Sequence, residues 1–430
     1  MNFEIDLTPL YALGDLPPLL IFWKIFLYGG WLIFLLVFLR GAWHFWLFYI
    51  RGKFAQTIQY ILLAIDIPRE NQQGPEAVER LFAHLAGARS KGTKFEQYFK
   101  GYFQLSFSFE LISIDGQIQF LIRTPVRFRD LVEAAVYTAY PEAEITEVED
   151  YTEAAPDIFP NEEYDCWAAD LVLYNKDPYP IRTYPSFEHS LSKELKDPLT
   201  DLLEIMSKMQ SGEQIWLQLI ITPIDASWKI EGEKLVKKLM MGIEITPTKT
   251  TLDKIIEFPL NILQQIGELI FLPSASPTEG KEKRTTPLSP GEYRVIEAIQ
   301  NKISKIAFAV KFRVVYLGEK EVFDKARGVT GVLGAISQFN TLDMNGFKPD
   351  DRAKTSRPMF FGQKRLAAMQ NRLIRAYKQR NSFVGGRTCI LNIEELASLY
   401  HFPVSSITRV PLIKKTGSRR GEPPFGLPTV

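Results

Sequence analysis

The sequence has 430 residues, of which 46% are hydrophobic, so it is long enough for two or three domains with apolar cores. Its 51 Lys and Arg balance 50 Asp and Glu, and the formal net charge is only +1. Two cysteines, Cys166 and Cys389, exclude a disulfide framework and are typical of a reducing compartment.

The most apolar part of the chain is the block from Leu19 to Ile50, where Lys24 and Arg40 are the only Lys or Arg residues. Leu19–Leu39 has the roughly 20 apolar residues that a transmembrane helix needs. A cleaved signal peptide is the alternative, but no basic residue precedes Lys24 and no small-residue cleavage pattern follows the block. Basic residues lie after the span, which predicts an N-terminus outside the cell membrane and a cytoplasmic body.

After this N-terminal segment (residues 1–50), residues 51–152 are predicted to form a first α+β domain. Its elements in chain order are a strand at Phe54–Ile67, a helix at Pro75–Ala88, strands at Gln104–Ile114 and Gln117–Arg123, a helix at Arg127–Tyr140 and a strand at Glu142–Val148. Asp115-Gly116, between the two alternating strands, is typical of a type I′ hairpin turn. The β-α-β-β-α-β order is the ferredoxin-like pattern.

The same order recurs in residues 164–345, which are predicted to form a second ferredoxin-like domain. Its elements are a strand at Trp167–Tyr174, a helix at Asp197–Met209, strands at Glu213–Thr222 and Lys305–Tyr316, a helix at Glu321–Phe339 and a closing strand near Thr341–Met344. The fold class is therefore α+β, with two such units in tandem after the membrane helix.

A long insertion, residues 225–304, interrupts the second unit. It contains a predicted helix at Trp228–Met241, an apolar helical stretch at Leu252–Leu272 and a polar linker at Ser274–Pro290. The apolar stretch has two interpretations that the sequence leaves open. It packs on the body as a helix pair, or it lies in the bilayer interface or against another subunit.

The charges are unevenly distributed along the chain. Residues 130–165 contain 12 acidic residues and no Lys or Arg, whereas residues 361–420 contain 12 Lys or Arg and two acidic residues. Residues 346–430 form a basic extension with a helix at Gln363–Gln379 and a Pro/Gly-rich arm at Lys414–Pro428. The candidate contacts to an anionic partner are Arg365, Arg372, Arg375, Lys378, Lys414, Lys415, Arg419 and Arg420.

Two interpretations of this basic helix remain open. It is an amphipathic helix with one solvated face, or it binds DNA, anionic lipid or an acidic protein surface. Phosphate neutralisation by Lys and Arg would make DNA binding strongly salt-dependent.

No catalytic or cofactor site is expected. The four histidines and two cysteines lack the spacing of metal ligands, and no phosphate-binding G-x-x-x-x-G-K-[ST] loop is present. Gly328, Gly331 and Gly334 lack the spacing of a nucleotide-binding turn, and close packing against the sheet explains them better. We therefore expect neither an enzyme nor a cofactor.

Near the C-terminus, Asn392 and Glu395 have the spacing of a capping box for a short helix through Tyr400. The run ILNIEELASLYHFP (Ile390–Pro403), followed by RRGEPPFGLP (Arg419–Pro428), resembles the segment that precedes the motor domain in membrane-anchored type IV secretion coupling-type ATPases of candidate-phylum bacteria. Upstream, Phe109–Tyr151 and Ile67–Ala88 resemble the uncharacterised N-terminal domain of the same proteins. The resemblance covers most of the chain.

The motor domain itself is absent from the sequence, which ends two residues after Pro428. The resemblance therefore implies a membrane-anchored, non-catalytic module of a type IV secretion or conjugation-like translocation machine that docks a separate RecA-like motor ATPase. The implied partners are the membrane, this motor, nucleic acid at the basic tail and further copies of the chain. The alternative is a protein that binds anionic membrane surfaces and has no role in translocation.

Overall fold

The computed structural model describes residues 17, 20, 23–24, 26–27, 31–68, 71–187, 197–241, 288–356 and 362–403. The chain divides into two compact units. The first comprises residues 1–59 and 90–104, and the second comprises residues 60–89 and 105–430. The apolar stretch Leu252–Leu272 and the arm Lys414–Pro428 lie outside the described residues.

The first unit contains two described helices, α1 (Trp31–Gln56) and the short α3 (Lys94–Phe99). Helix α1 continues through the region predicted as the start of a strand, because its apolar and long basic residues favour a helix up to Gln56. The predicted membrane span Leu19–Leu39 falls in part outside the described residues. Within the residues that are described, no helix meets the length and apolarity that a bilayer crossing requires.

The described part of the second unit is an α+β fold around one nine-stranded antiparallel sheet, so the α+β class of the prediction is confirmed. Its strands are β1 (Tyr60–Asp66), β2 (Phe107–Ile114), β3 (Gln117–Pro125), β4 (Glu144–Val148), β5 (Tyr164–Leu173), β6 (Glu213–Pro223), β7 (Ala307–Glu319), β8 (Phe347–Lys354) and β9 (Cys389–Asn392). The order across the sheet is β4-β1-β3-β2-β6-β7-β5-β8, and β9 pairs with β7.

The described helices of this unit are α2 (Pro75–Leu85), α4 (Arg129–Ala139), α5 (Thr200–Ser207), α6 (Trp228–Met240), α7 (Pro290–Ser304), α8 (Gly331–Ser337), α9 (Gly362–Lys378) and α10 (Ile393–Leu399). Each half of the sheet has the element order β-α-β-β-α-β that the sequence predicts. Strand β2 pairs with β6 along the whole length of β2, from Phe107 opposite Ile221 to Ile114 opposite Gln214, and this pairing joins the halves.

Among its described residues, the second unit has three apolar clusters. The main core lies on one face of the sheet and contains residues of α2, α4, α5, α8 and α10. On the opposite face, α9 buries Leu373, Ile374 and Tyr377 against strand residues such as Trp216 and Val315. A third cluster joins α6 to α7, the two described helices of the predicted insertion.

Two predicted elements near the end of the second half are wrong in position. The closing strand is Phe347–Lys354 rather than Thr341–Met344, because Thr341 and Asn345 form a turn in which the Thr341 amide donates to the Asn345 carbonyl. The predicted helix at Glu321–Phe339 is regular only over Gly331–Ser337 and is preceded by a π-type turn at Ala326–Thr330.

The close packing predicted for the glycines is confirmed at Gly328, where a Cβ atom would lie 2.5 Å from the Tyr316 ring. It is not found at Gly334, where a Cβ atom would meet nothing within 4 Å.

Candidate functional site

Helix α9 carries the described part of the predicted basic site. Its buried residues are Gln370, Leu373, Ile374, Ala376 and Tyr377, which recur at helical spacing and face the sheet. Arg365, Arg372 and Arg375 lie on the other side of the helix and are exposed. The structure therefore brings these three arginines together on one outward side of α9, which we call the arginine face. Lys414, Lys415, Arg419 and Arg420 lie outside the described residues.

The inner side of α9 is fixed by polar contacts as well as by apolar packing. Gln370 Nε2 donates to Asp165 Oδ1 and to the Cys166 carbonyl, both at 2.9 Å. Asn371 Nδ2 donates to the Phe159 carbonyl at 2.9 Å, and Asn371 Oδ1 accepts from the Phe159 amide. These contacts define the rotation of the helix about its axis, so the outward direction of the arginine face is defined as well.

Lys378 differs from the three arginines because it is used inside the fold. Its Nζ donates to the Ala155 carbonyl at 2.7 Å and pairs with Asp157 at 2.5 Å. Two residues after Lys378, Arg380 forms an ion pair with Asp150, another acidic residue of segment 130–165. Part of the acidic segment 130–165 thus lies against the C-terminal end of the basic helix, and the uneven charge distribution is partly an intramolecular pairing.

A cluster of buried polar and charged side chains surrounds Glu110, a residue of β2. The Arg380 guanidinium donates to both carboxylate oxygens, at 2.9 and 3.0 Å. Ser108, Tyr151 and Gln218 donate to the same carboxylate at 2.6, 2.8 and 3.1 Å. A buried carboxylate with this many donors is held in its ionised form.

The pKa values of Glu110 and Asp150 depend on two opposing effects, burial, which raises them, and the contacts with Arg380, which lower them. Burial raises the pKa of the Glu110 carboxyl, but the charge and hydrogen bonds of Arg380 outweigh burial, and the pKa lies below its ordinary value. The same competition holds for Asp150, whose pKa is also lowered. Burial raises the pKa of the Tyr151 and Tyr377 hydroxyls, which contact each other at 2.8 Å.

A second buried cluster lies on β5 and β7. Arg313 Nε donates to Asp170 Oδ1 at 2.6 Å, and the Gly386 amide donates to Asp170 Oδ2 at 2.7 Å. Lys311 Nζ lies 3.5 Å from Asp170 Oδ2 and donates to the Gly386 carbonyl. Burial lowers the pKa of the Lys311 ammonium, against the opposing effect of Asp170. The loop after α9 therefore covers a charged part of the sheet.

Two further buried pairs hold α10. Lys302 Nζ lies 3.0 Å from Glu395 Oε2, and Glu395 also caps α10 together with Asn392, as the sequence predicts. Burial raises the pKa of Glu395, more than Lys302 lowers it. His401 Nε2 lies 2.8 Å from Asp197 Oδ1, and His401 Nδ1 lies 2.7 Å from the Ala397 carbonyl.

These buried groups contact one another rather than lining an open site. In the part of the chain that the structure describes, no three His, Cys, Asp or Glu residues are placed to hold a metal ion. Both cysteines are buried, and burial raises the pKa of their thiols, to about 12 at Cys389. The clusters fix the fold and leave the arginine face of α9 as the candidate binding surface.

Sequence reasoning missed these clusters, although a signal for them was present. Glu110, Gln218, Lys311 and Arg313 alternate with apolar residues along long strands, which is also the pattern of strands with one face in water. The cover over this face comes from α9 and from residues 379–388, which lie far from β2 in the sequence. Only the tertiary structure distinguishes a solvated face from a covered, internally paired one.

The chain belongs to a protein family described as a domain of unknown function, DUF8128, whose model matches residues 62–413. The match therefore begins within β1, after α1, and includes β2 to β9 and α9. No curated protein matches this chain.

Proposed function

We propose that this chain is a membrane-attached, non-catalytic module of a type IV secretion or conjugation-like translocation machine that docks a separate motor ATPase at the membrane. The observation that carries the proposal is the outward face of α9, where Arg365, Arg372 and Arg375 are exposed while the opposite face is buried and hydrogen-bonded. Arginines held on a rigid element suit recognition of carboxylate or phosphate groups.

The proposed membrane attachment rests on the apolar block 19–50. Within it, the described side chains of α1 include exposed large apolar residues along most of its length, such as Leu36, Phe38, Phe45 and Phe48. Exposed apolar surface of this extent is unfavourable in water and favours insertion into a lipid layer. We propose a single-pass anchor with the N-terminus outside and the body on the cytoplasmic side, where Arg51 and Lys53 follow the block.

We further assign a ferredoxin-like fold to each half of the sheet. The order β4-β1-β3-β2 and the order β8-β5-β7-β6 are equivalent when each half is numbered from its own first strand. In the proposed machine, several copies of this body would form a homo-oligomeric collar around the translocation path, with the arginine face toward the motor.

Affinity purification of the tagged full-length chain from its native membranes tests the proposal. We expect a motor-type ATPase to be recovered with the wild-type chain and to be lost with the triple variant Arg365→Gln, Arg372→Gln, Arg375→Gln. The matched control is Lys234→Gln, Lys237→Gln, Lys238→Gln, which removes three exposed cations from α6. Failure of the wild-type chain to recover a motor, or equal loss in both variants, would contradict the proposal.

A second measurement separates the proposal from the alternative of an anionic-lipid-binding protein. If the arginine face binds lipid rather than a motor, the triple variant loses affinity for phosphatidylglycerol-containing vesicles while motor recovery stays unchanged. If the arginine face binds the motor, the triple variant loses motor recovery while its affinity for phosphatidylglycerol-containing vesicles stays unchanged.

A further inference from the structure

Residues 90–104 form a small aromatic structure of their own within the first unit. Helix α3 begins with a capping box, in which Thr93 Oγ1 accepts from the Glu96 amide and the Glu96 carboxylate accepts from the Thr93 amide. Phe95 and Phe99 lie one helical turn apart on α3 and stack with ring centroids 5.1 Å apart. Their exposed fractions are 60% and 58%, so this stacked pair faces outward rather than into a core.

The other side of α3 contacts the C-terminal half of α1. Trp46 Nε1 donates to the Tyr98 carbonyl at 3.1 Å, and the rings of Trp43 and Tyr98 lie 5.7 Å apart. The approach is close at Gly101, which has φ +72° and where a Cβ atom would overlap the Ile50 carbonyl. These contacts hold the exposed Phe95–Phe99 pair beside the apolar surface of α1.

Further along the same segment, the Phe54 ring lies 5.4 Å from the rings of both Tyr102 and Phe103. Residues 90–104 therefore contact α1 in their middle, at Tyr98, and near their C-terminal end, at Gly101, Tyr102 and Phe103. We therefore expect residues 90–104 and α1 to occupy the same environment.

The charge of this unit points to the chemistry of that environment. Residues 31–59 and 90–104 contain six Lys or Arg and a single acidic residue, Glu96, which caps α3. Lys91, Lys94 and Lys100 flank the exposed phenylalanines. Exposed aromatic rings bordered by cations, next to an apolar helix, are the pattern of a segment that lies in the interface of an anionic bilayer.

We propose that α3 is a second membrane contact, in which Phe95 and Phe99 enter the interfacial layer of an anionic bilayer and Lys91, Lys94 and Lys100 contact lipid phosphates. This inference rests on the membrane attachment proposed above. It adds that the first unit contacts the bilayer through two elements, α1 and α3.

Fluorescent labelling of the full-length chain tests the proposal. A cysteine is introduced by Phe99→Cys, by Phe95→Cys or, as a control, at the exposed Phe383 by Phe383→Cys, and is labelled with an environment-sensitive nitrobenzoxadiazole probe. Cys166 and Cys389 are buried and do not compete in the folded protein. The labelled chains are bound to phosphatidylcholine vesicles with or without phosphatidylglycerol.

We expect the label at position 99 or 95 to shift its emission to the blue and to be quenched by lipid that is spin-labelled near the headgroup. The label at 383 is expected to stay in water and to be quenched by aqueous iodide. If the labels at 95 and 99 stay in water while the chain floats with the vesicles, α3 is not a membrane contact although α1 attaches the chain. If the chain does not float at all, the membrane attachment itself is wrong.

The lysine contribution has its own variant. Lys91→Gln, Lys94→Gln, Lys100→Gln is expected to reduce the blue shift in phosphatidylglycerol vesicles to the value seen with phosphatidylcholine alone. The control Lys234→Gln, Lys237→Gln, Lys238→Gln removes equal charge from α6 and is expected to change nothing. Equal blue shifts with and without phosphatidylglycerol in the wild-type chain would overturn the role of the lysines.

Discussion

Arg380 and Glu110 lie 270 positions apart in the sequence and form a buried pair with two parallel hydrogen bonds of 2.9 and 3.0 Å. Arg380 has φ +50°, so the chain enters the left-handed region immediately after α9 to bring the guanidinium under the helix. The pair joins the end of α9 to strand β2, where β2 meets the other half of the sheet through β6. It therefore couples the candidate binding face to the centre of the fold.

The first prediction concerns this pair. Arg380→Gln leaves the Glu110 carboxylate buried without a cation, and we expect a loss of about 3–5 kcal/mol in the free energy of unfolding. Arg129→Gln is the control, because Arg129 pairs with Glu133 and Glu147 on the surface, and its loss costs about 1 kcal/mol or less. Urea unfolding followed by circular dichroism measures both. Similar losses in the two variants would show that burial does not govern the pair.

The second prediction concerns pH. The pKa values of Glu110 and Asp150 are lowered in the folded protein, so their stabilisation is complete above their ordinary values of 4.5 and 3.8 and is lost as the pH falls through the lowered folded values. In Arg380→Gln the charge and hydrogen bonds of Arg380 are lost, while burial and the hydrogen bonds from Ser108, Tyr151 and Gln218 remain. Burial is the largest of the remaining effects, so we expect the pKa of Glu110 to be raised instead. The stability of this variant then falls as the pH rises through that raised value. The difference in the free energy of unfolding between wild type and variant is expected to be largest near about pH 7 and to shrink toward about pH 4.

Urea unfolding at several pH values measures this difference. Glu395 offers an internal comparison, because burial raises its pKa although Lys302 lies 3.0 Å away. The Glu395→Gln variant is therefore expected to lose less stability at pH values above the folded pKa of Glu395, where the wild-type carboxylate is buried and ionised, than at lower pH. A difference between wild type and Arg380→Gln that is independent of pH would contradict the assignment of the effect to Glu110.

The third prediction concerns the loop that covers Asp170. Gly385 has φ +99°, and a Cβ atom there would overlap the Asp170 carboxylate. Gly385→Ala therefore combines an unfavourable backbone conformation with a displaced Asp170–Arg313 pair, and we expect a loss of about 2 kcal/mol or more. Gly334→Ala in α8 meets nothing within 4 Å and is expected to gain up to about 1 kcal/mol from helix propensity. Thermal unfolding compares the two, and equal effects would contradict the steric argument.

The fourth prediction concerns the end of the described chain, at Tyr400 and Phe402. Tyr400 and Phe402 are buried in the main core, and the Tyr400 ring lies 5.0 Å from that of Phe109 while the Phe402 ring lies 5.0 Å from that of Phe120. Phe402→Ala is expected to cost about 3–5 kcal/mol, as for other large aromatic residues in cores. Phe383→Ala, at an exposed position, is the control. A loss below about 1 kcal/mol for Phe402→Ala would show that this segment is not part of the core.

Local patterns were sufficient for many elements of the second unit. The Asp115-Gly116 turn has the positive φ angles that its type requires, and Asn392 and Glu395 form the predicted capping box. These features depend on neighbours within a few residues. The pairing of Glu110 with Arg380 depends on how a late helix covers an early strand, and no local pattern contains that information.

The candidate site was predicted only in part, because helical spacing is a local pattern whereas the contacts of the helix with other segments are not. Helical spacing places Arg365, Arg372 and Arg375 on one face and makes them exposed once the opposite face is apolar. Lys378 follows the same spacing, yet it pairs with Asp157 because the acidic segment passes the end of the helix. Charge counts along the sequence revealed the two segments but not their contact.

The last prediction concerns nucleic acid as a partner of the arginine face. If Arg365, Arg372 and Arg375 contact DNA phosphates, the logarithm of the binding constant falls linearly with the logarithm of salt concentration, and each lost contact reduces the slope by about 0.9. The triple glutamine variant is then expected to reduce the slope by about 2.7, whereas the α6 control variant leaves it unchanged. Fluorescence anisotropy of labelled duplex DNA with the full-length chain in detergent provides the measurement. A slope that is the same in wild type and triple variant would exclude DNA from this face and leave an acidic protein surface as the partner to test.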